Sequence, residues 1–263
     1  MTKKTILTIA GSDSSGGAGI QADIKVISAL GSYAASVITA LTAQNTLGVQ
    51  AVYEVPADFV RQQLESVFSD LHIEAVKIGM LVNAEIIQAI AATLKKYQTK
   101  FIVLDPVMIS KSGCQLVSPQ AITALKENLF PLVDLVTPNI FEAEKLLSIK
   151  ITDNKQQKSA AIALGEKYNI NVLVKGGHMQ GSESADVLYM NSECFWFAAP
   201  RIESPNTHGT GCSLSAAIAV YLAQGFELRE AVFQAKNYIT KAITAGRHLK
   251  VGHGCGPLEH FLK

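Results

Sequence analysis

Six short apolar runs rich in β-branched residues recur along the chain at 6–10, 37–41, 75–79, 101–104, 135–137 and 172–174. Segments of helical period fill most of the space between and after them, at 20–30, 56–70, 84–97, 119–129, 140–147, 158–168, 213–224 and 228–248. Runs that are apolar throughout are the mark of strands buried on both faces, and parallel neighbours need a crossover of a dozen or more residues, usually a helix. The alternation therefore predicts an α/β fold with a mostly parallel, doubly wound sheet between helices. Segment 186–197 breaks the pattern, because two short strand-like runs flank Asn191-Ser192, a turn signal that predicts an antiparallel hairpin.

The chain has 263 residues, a length that α/β folds carry as one unit, and one domain over 1–263 is expected. No apolar run nears the roughly 18 residues of a membrane span, so the hydrophobic fraction of 48% is assigned to a core. Lysine plus arginine number 23 against 22 for aspartate plus glutamate, which gives no field to recruit nucleic acid or an acidic membrane; the expected partner is a small molecule. Cys114, Cys194, Cys212 and Cys255 form no C-x-x-C pair, and the start of the chain runs into a short strand without a long apolar block. Both features predict a reducing, cytoplasmic setting.

In doubly wound sheets ligands bind beyond the carboxyl ends of the strands. Four such ends are unusual here: GSDSSGGAG at 11–19, DPVM at 105–108, TPNIFE at 137–142 and VKGGH at 174–178. The first is not a phosphate-binding loop of the G-x-x-x-x-G-K-[ST] type, since Gly11 and Gly16 are followed by Gly17 and Ala18. The stretch at 17–22 has dinucleotide-type spacing but starts well past its strand and lacks the ribose-binding acid about 20 residues on. Four glycines with three hydroxyls and Asp13 read better as a substrate-facing loop.

The stretch at 206–213, NTHGTGCS, empties into an apolar helix. Gly209 and Gly211 let successive amides, including those of Thr210 and Cys212, face one concavity at a helix N-terminus, which suits an anion. The plainer alternative is a helix cap by Thr210 or Ser213. Asn139 and Glu142 stand three apart at a helix start, where Glu142 reads as a capping-box acid or as a ligand of a hard cation. Asp105 closes a wholly apolar strand, where an isolated carboxylate is costly. Lys175 closes another and reads as a phosphate contact or an exposed strand-end lysine.

Taken together and in this order, these motifs resemble the hydroxymethylpyrimidine/phosphomethylpyrimidine kinases of thiamine biosynthesis, in the ribokinase-like superfamily. The resemblance runs nearly the whole chain, down to GHGCGP at 252–257. It implies a three-layer fold, a central mainly parallel sheet flanked by helices with a small antiparallel hairpin. It also implies two ATP-dependent transfers: to the hydroxymethyl group of 4-amino-5-hydroxymethyl-2-methylpyrimidine, then to the monophosphate. Under it, Gly209, Thr210, Gly211 and Cys212 with Lys175 are catalytic, and Gly11, Asp23, Gln44, Met80 and Val107 bind the pyrimidine. Asp105, Asn139, Lys175, Gly177, Thr210 and Gly211 bind ATP, Glu142 and Asp105 organise Mg²⁺, and the chain forms a homodimer. Cys212 stands where many sugar kinases of the superfamily have an aspartate base; at a helix N-terminus its pKa can fall far enough to supply thiolate, and it is expected to aid proton removal and substrate packing while the anion hole provides most of the acceleration. Residues 107–114, including Lys111, form a candidate lid over the pocket. A pyridoxal kinase of the same branch and a non-catalytic nucleotide-binding regulator are the alternative functions.

Overall fold

The structure, a computed structural model, describes residues 3–108 and 117–262. One sheet of nine strands runs through it: β1 (Thr5–Asp13), β2 (Tyr33–Asn45), β3 (Gly48–Glu54), β4 (Ala75–Ile78), β5 (Phe101–Leu104), β6 (Leu135–Val136), β7 (Asn171–Val174), β8 (Glu183–Met190) and β9 (Glu193–Pro200). Their order is β3-β2-β1-β4-β5-β6-β7-β8-β9. The six strands from β2 to β7 in that order pair in parallel, and β3, β8 and β9 add antiparallel edges. The expected mainly parallel sheet and the hairpin at Asn191 and Ser192 are both present. These two turn residues have φ of 50° and 63°, the left-handed pair that a two-residue hairpin turn needs.

The period of two sorts each parallel strand between two cores. Leu7, Ile9, Val76, Ile78, Ile102, Leu104, Val136, Val172 and Val174 face one side. There they meet α2 (Ala57–Asp70), α3 (Ala84–Tyr97), α4 (Pro119–Ala124), α5 (Ile140–Leu147) and α6 (Asn154–Tyr168). Ile6, Ala75, Val103, Leu135 and Leu173 face the other side. That side is covered by α1 (Gly19–Ala29), α7 (Thr210–Ala223) and α8 (Leu228–Gly246). This alternation also sends Thr8 and its register partner Lys77 toward α1 and α7.

The helices differ from expectation mainly at their ends. α4 passes into a π turn over Leu125–Leu129 and a 3₁₀ turn at Phe130–Leu132, where Pro131 prevents a regular continuation. α6 begins four residues earlier than its apolar period, at a cap in which Asp153 accepts the Gln156 N–H. Strand β3 was not expected, because its residues are solvent-facing and carry no buried alternation.

Candidate active site

The carboxyl ends of the parallel strands and the mouth of α7 come together, as the topology requires. Lys175, the first residue past β7, is buried and holds Asp105, the first past β5, at 2.6 Å from Nζ to Oδ1. The Thr137 hydroxyl donates to the same oxygen at 3.3 Å. Gly211 covers this pair: a Cβ there would lie 3.2 Å from Lys175 Nζ and 3.6 Å from Asp105 Oδ2. Burial opposes the lysine charge, but Asp105 and Glu142 outweigh it and raise the Lys175 pKa. The strand-end lysine is therefore buried and charged, facing a glycine-built helix mouth.

That mouth is shaped by backbone contact. Gly209 has φ of +80°, and a Cβ there would meet the Gly17 carbonyl oxygen at 1.9 Å, so only glycine serves. The Thr210 hydroxyl is committed to the Thr207 carbonyl and the Ser213 N–H to Gly209. Behind Lys175, the Gly176 N–H donates to Asp186, which is paired with Lys236 at 2.7 Å, and Arg201 donates to the Gly177 carbonyl. The strand end is thus held from both sides.

Asn139 and Glu142 form a full capping box at the start of α5, with the Asn139 N–H on Glu142 Oε2 at 2.8 Å and the Glu142 N–H on Asn139 Oδ1 at 3.0 Å. Burial pushes the Glu142 carboxyl up, Lys175 pulls it down and Asp105 adds to the rise, leaving it at about 7.

On the other side of the mouth, Asp23 is fully buried. It accepts from Lys77 Nζ at 2.8 Å and from the Thr8 hydroxyl at 2.6 Å, both on Oδ2, while Oδ1 has no hydrogen-bond partner. Burial raises the Asp23 pKa further than Lys77 and Thr8 lower it. Lys77 was hidden in the sequence inside an apolar run, and only the strand alternation could have turned it toward Asp23. Gly11 and Met80 adjoin, since a Cβ on Gly11 would lie 3.4 Å from the Met80 sulfur; Val107 is half-buried and packs against the same core cluster as Met80.

Cys212 corrects one expectation. The helix start does not yield a thiolate: burial pushes the thiol up, the Lys77 charge offsets this only in part, and it settles at about 11. Gln44 lies at an irregularity in the β2–β3 pairing, between Asn45 and the loop after β1. It contacts His208 at 3.2 Å and Thr42 at 3.1 Å. His208 in turn reaches Asp13 at 2.8 Å. Asp13 is the hub of the first glycine loop, accepting from Ser15, Gly17 and Ala18. Burial would raise its pKa, but the bonds from His208, Ser15 and Ala18 hold it at about 2. Its link to His208 went unseen in sequence, the two being far apart. The candidate lid beyond Met108, with Lys111, lies outside the described residues.

Strand ends facing a glycine-built helix mouth across a buried lysine define the class first: this is a ribokinase-like α/β phosphotransferase. The chain belongs to the phosphomethylpyrimidine kinase family, whose model matches residues 13–259. It is 52% identical over 258 residues to the thiamine biosynthesis bifunctional protein ThiED of Geobacter sulfurreducens, covering 98% of this chain and 52% of that protein. The chain thus spans about half the length of that relative. It is 48% identical to the hydroxymethylpyrimidine/phosphomethylpyrimidine kinase of Escherichia coli, covering 99% and 98% of the two chains. The crystal structure of phosphomethylpyrimidine kinase from Clostridium difficile matches with a TM-score of 0.81 at 47% identity, over 92% of this chain and 100% of that one. An ADP complex of Bacillus subtilis pyridoxal kinase matches with a TM-score of 0.90 at 35% identity, over 98% of each chain.

Proposed function

We propose that the chain transfers the γ-phosphoryl of ATP to 4-amino-5-hydroxymethyl-2-methylpyrimidine and then to its monophosphate. The observation that carries this reading is Gly211 seated over the Lys175–Asp105 pair at the mouth of α7. Phosphoryl transfer of this kind needs alignment and charge stabilisation more than covalent help. The amides of Gly209 to Cys212 hold the transferring group, and Lys175 neutralises the charge it gathers. The unpartnered Asp23 Oδ1 receives a donor from the pyrimidine alcohol, Gln44 meets the ring edge, and Gly11, Met80 and Val107 pack its faces. Asn139 and Gly177 line the nucleotide side. Cys212 contributes packing and a neutral thiol.

Glu142 and Asp105 fit a magnesium ion. A buried carboxyl held at about 7 gains from a cation beside it, and Asp105 keeps Oδ2 toward Gly211. Among the described residues no group of three or more His, Cys, Asp or Glu forms a metal cage, which suits an ion bound mainly by phosphates and water. When bound, it neutralises phosphate charge. We further propose that the chain is one kinase domain over 1–263, a homodimer and cytoplasmic. Cys194 and Cys212 are free thiols, and among the described residues no helix is long and apolar enough to cross a membrane.

The test is ADP release with three acceptors side by side: hydroxymethylpyrimidine, its monophosphate and pyridoxal. Turnover of both pyrimidines ahead of pyridoxal is expected. A clear preference for pyridoxal would replace this reading with the pyridoxal kinase one, and ATP binding without turnover of any acceptor would favour a regulator.

A further inference from the structure

Gln44 is caught between two conflicting neighbours. Its terminal nitrogen lies 3.2 Å from His208 Nε2 and its terminal oxygen 3.1 Å from Thr42 Oγ1. His208 Nε2 is also 2.8 Å from Asp13 Oδ2. Asp13 already accepts from the Ser15 N–H and hydroxyl and from the Gly17 and Ala18 N–H groups, so it is an acceptor only. His208 Nε2 therefore carries a proton whether the ring is neutral or charged. Two donors then face each other across 3.2 Å. On the other side, Thr42 has one hydroxyl proton, and the Ser12 carbonyl takes it at 3.0 Å. That leaves two acceptors facing each other.

A half-turn of the carboxamide removes both conflicts. Its oxygen then shares the His208 N–H with Asp13, and its nitrogen donates to Thr42. The surroundings are rigid enough to enforce this. The Ser14 hydroxyl bonds both the N–H and the carbonyl of Gln44, at 2.8 and 2.7 Å. The backbone N–H of His208 donates to the Gly256 carbonyl at 3.0 Å, and its ring lies so close to Gly17 that a Cβ there would sit 2.3 Å from Cδ2.

We propose that His208 and Thr42 lock the Gln44 carboxamide in this single orientation, and that the lock determines which pyrimidine the site accepts. The inference rests on the pyrimidine kinase reading above. Each carboxamide atom keeps one bonding position for a ligand, acceptor and donor in fixed order. A 4-aminopyrimidine edge offers a donor beside an acceptor, and its 4-oxo counterpart offers the reverse. A glutamine free to turn would follow that reversal. A locked one meets it with like against like. His208 is thus a positioning residue that acts through Gln44.

The test measures kcat/KM for 4-amino-5-hydroxymethyl-2-methylpyrimidine and its 4-oxo counterpart at saturating ATP. The unaltered chain should prefer the amino ring by ~100-fold or more, and His208→Ala should cut that preference at least ~10-fold. His208→Gln, which keeps an N–H donor, should retain most of it. If His208→Ala slows both substrates by one common factor, the role is structural and the lock is overturned. Should neither alcohol be phosphorylated, the kinase reading fails and the lock is judged without turnover. In nitrogen-15 NMR of the ligand-free chain, Thr42→Val must then shift the Gln44 side-chain NH₂ signals and speed their exchange with water, because only the turned amide donates to Thr42. Unmoved signals overturn it.

Discussion

Gly211→Ala should separate stability from activity. Gly211 is the second residue of α7 and its φ is not positive, so alanine fits its backbone without strain. Alanine is better than glycine by ~1 kcal/mol within a helix, and it also restricts the unfolded chain. Against this stands one tight contact, 3.2 Å from the new Cβ to Lys175 Nζ. The ammonium ends a flexible side chain and can yield a few tenths of an ångström at small cost. The net change is a gain of ~0.5 kcal/mol after the first-turn position and this contact are allowed for, which raises Tm by ~1–2 °C in a chain of this size. Activity should move the other way. The methyl group fills the space between the helix-mouth amides and Lys175, where the proposed function puts the phosphoryl group. A loss of ~100-fold or more in kcat/KM for ATP is expected, comparable to losing an oxyanion donor. Continuous ADP release and thermal melting, on the same preparation, read both quantities. Turnover equal to wild type would refute the assignment of Gly211 to the phosphoryl site, and a lowered Tm would refute the strain-free geometry.

Asp13, held at about 2 against an ordinary 3.8, contributes stability that is present above 3.8 and lost as pH falls through about 2. Asp13→Asn should lower stability at neutral pH by ~2 kcal/mol, with the deficit closing between those two values, as read from urea midpoints along a pH series. Lys77→Met leaves Asp23 buried without its cation and should cost ~3 kcal/mol or more; adding Asp23→Asn should recover part of that loss in the same urea assay. Cys212→Ala should keep most of its turnover, because the thiol stays protonated until about 11. A ~1000-fold fall in kcat, of the size of a lost general base, would restore the base role.

What the sequence disclosed and what it hid follow from range. Asp105 and Lys175 stood out because each ends an apolar strand, where a lone charge needs a partner, and the structure pairs them across 70 residues. The helix mouth was legible from Gly209 and Gly211, whose small size lets the backbone close on Gly17 and on the Lys175–Asp105 pair. Strand β3 was not, because an edge strand with both faces outside the core has no period to betray it. The first turn of α6 was missed for the same reason: Asn154, Lys155 and Gln156 are exposed, and only the Asp153 cap marks the start. Lys77 and Asp23 lie 54 residues apart in elements that each look ordinary, and only the register of β4 against β1 joins them.

Cys212 shows why local chemistry misleads at such a site. A helix N-terminus favours an anion by ~0.3–1 kcal/mol, which moves a thiol pKa by less than one unit. Burial of the sulfur acts in the opposite sense and is the largest influence on it; Asp23 and Asp105 add to the rise, and Lys77 opposes them. The thiol is therefore held protonated well above neutral pH, up to about 11. A neutral group at this position suits a loose transition state, in which the attacking alcohol keeps its proton until late. The positive charge needed for that transition state then has to stand elsewhere. In the function proposed above Lys175 supplies it from the far side of Gly211, its pKa raised by Asp105 and Glu142 despite its burial.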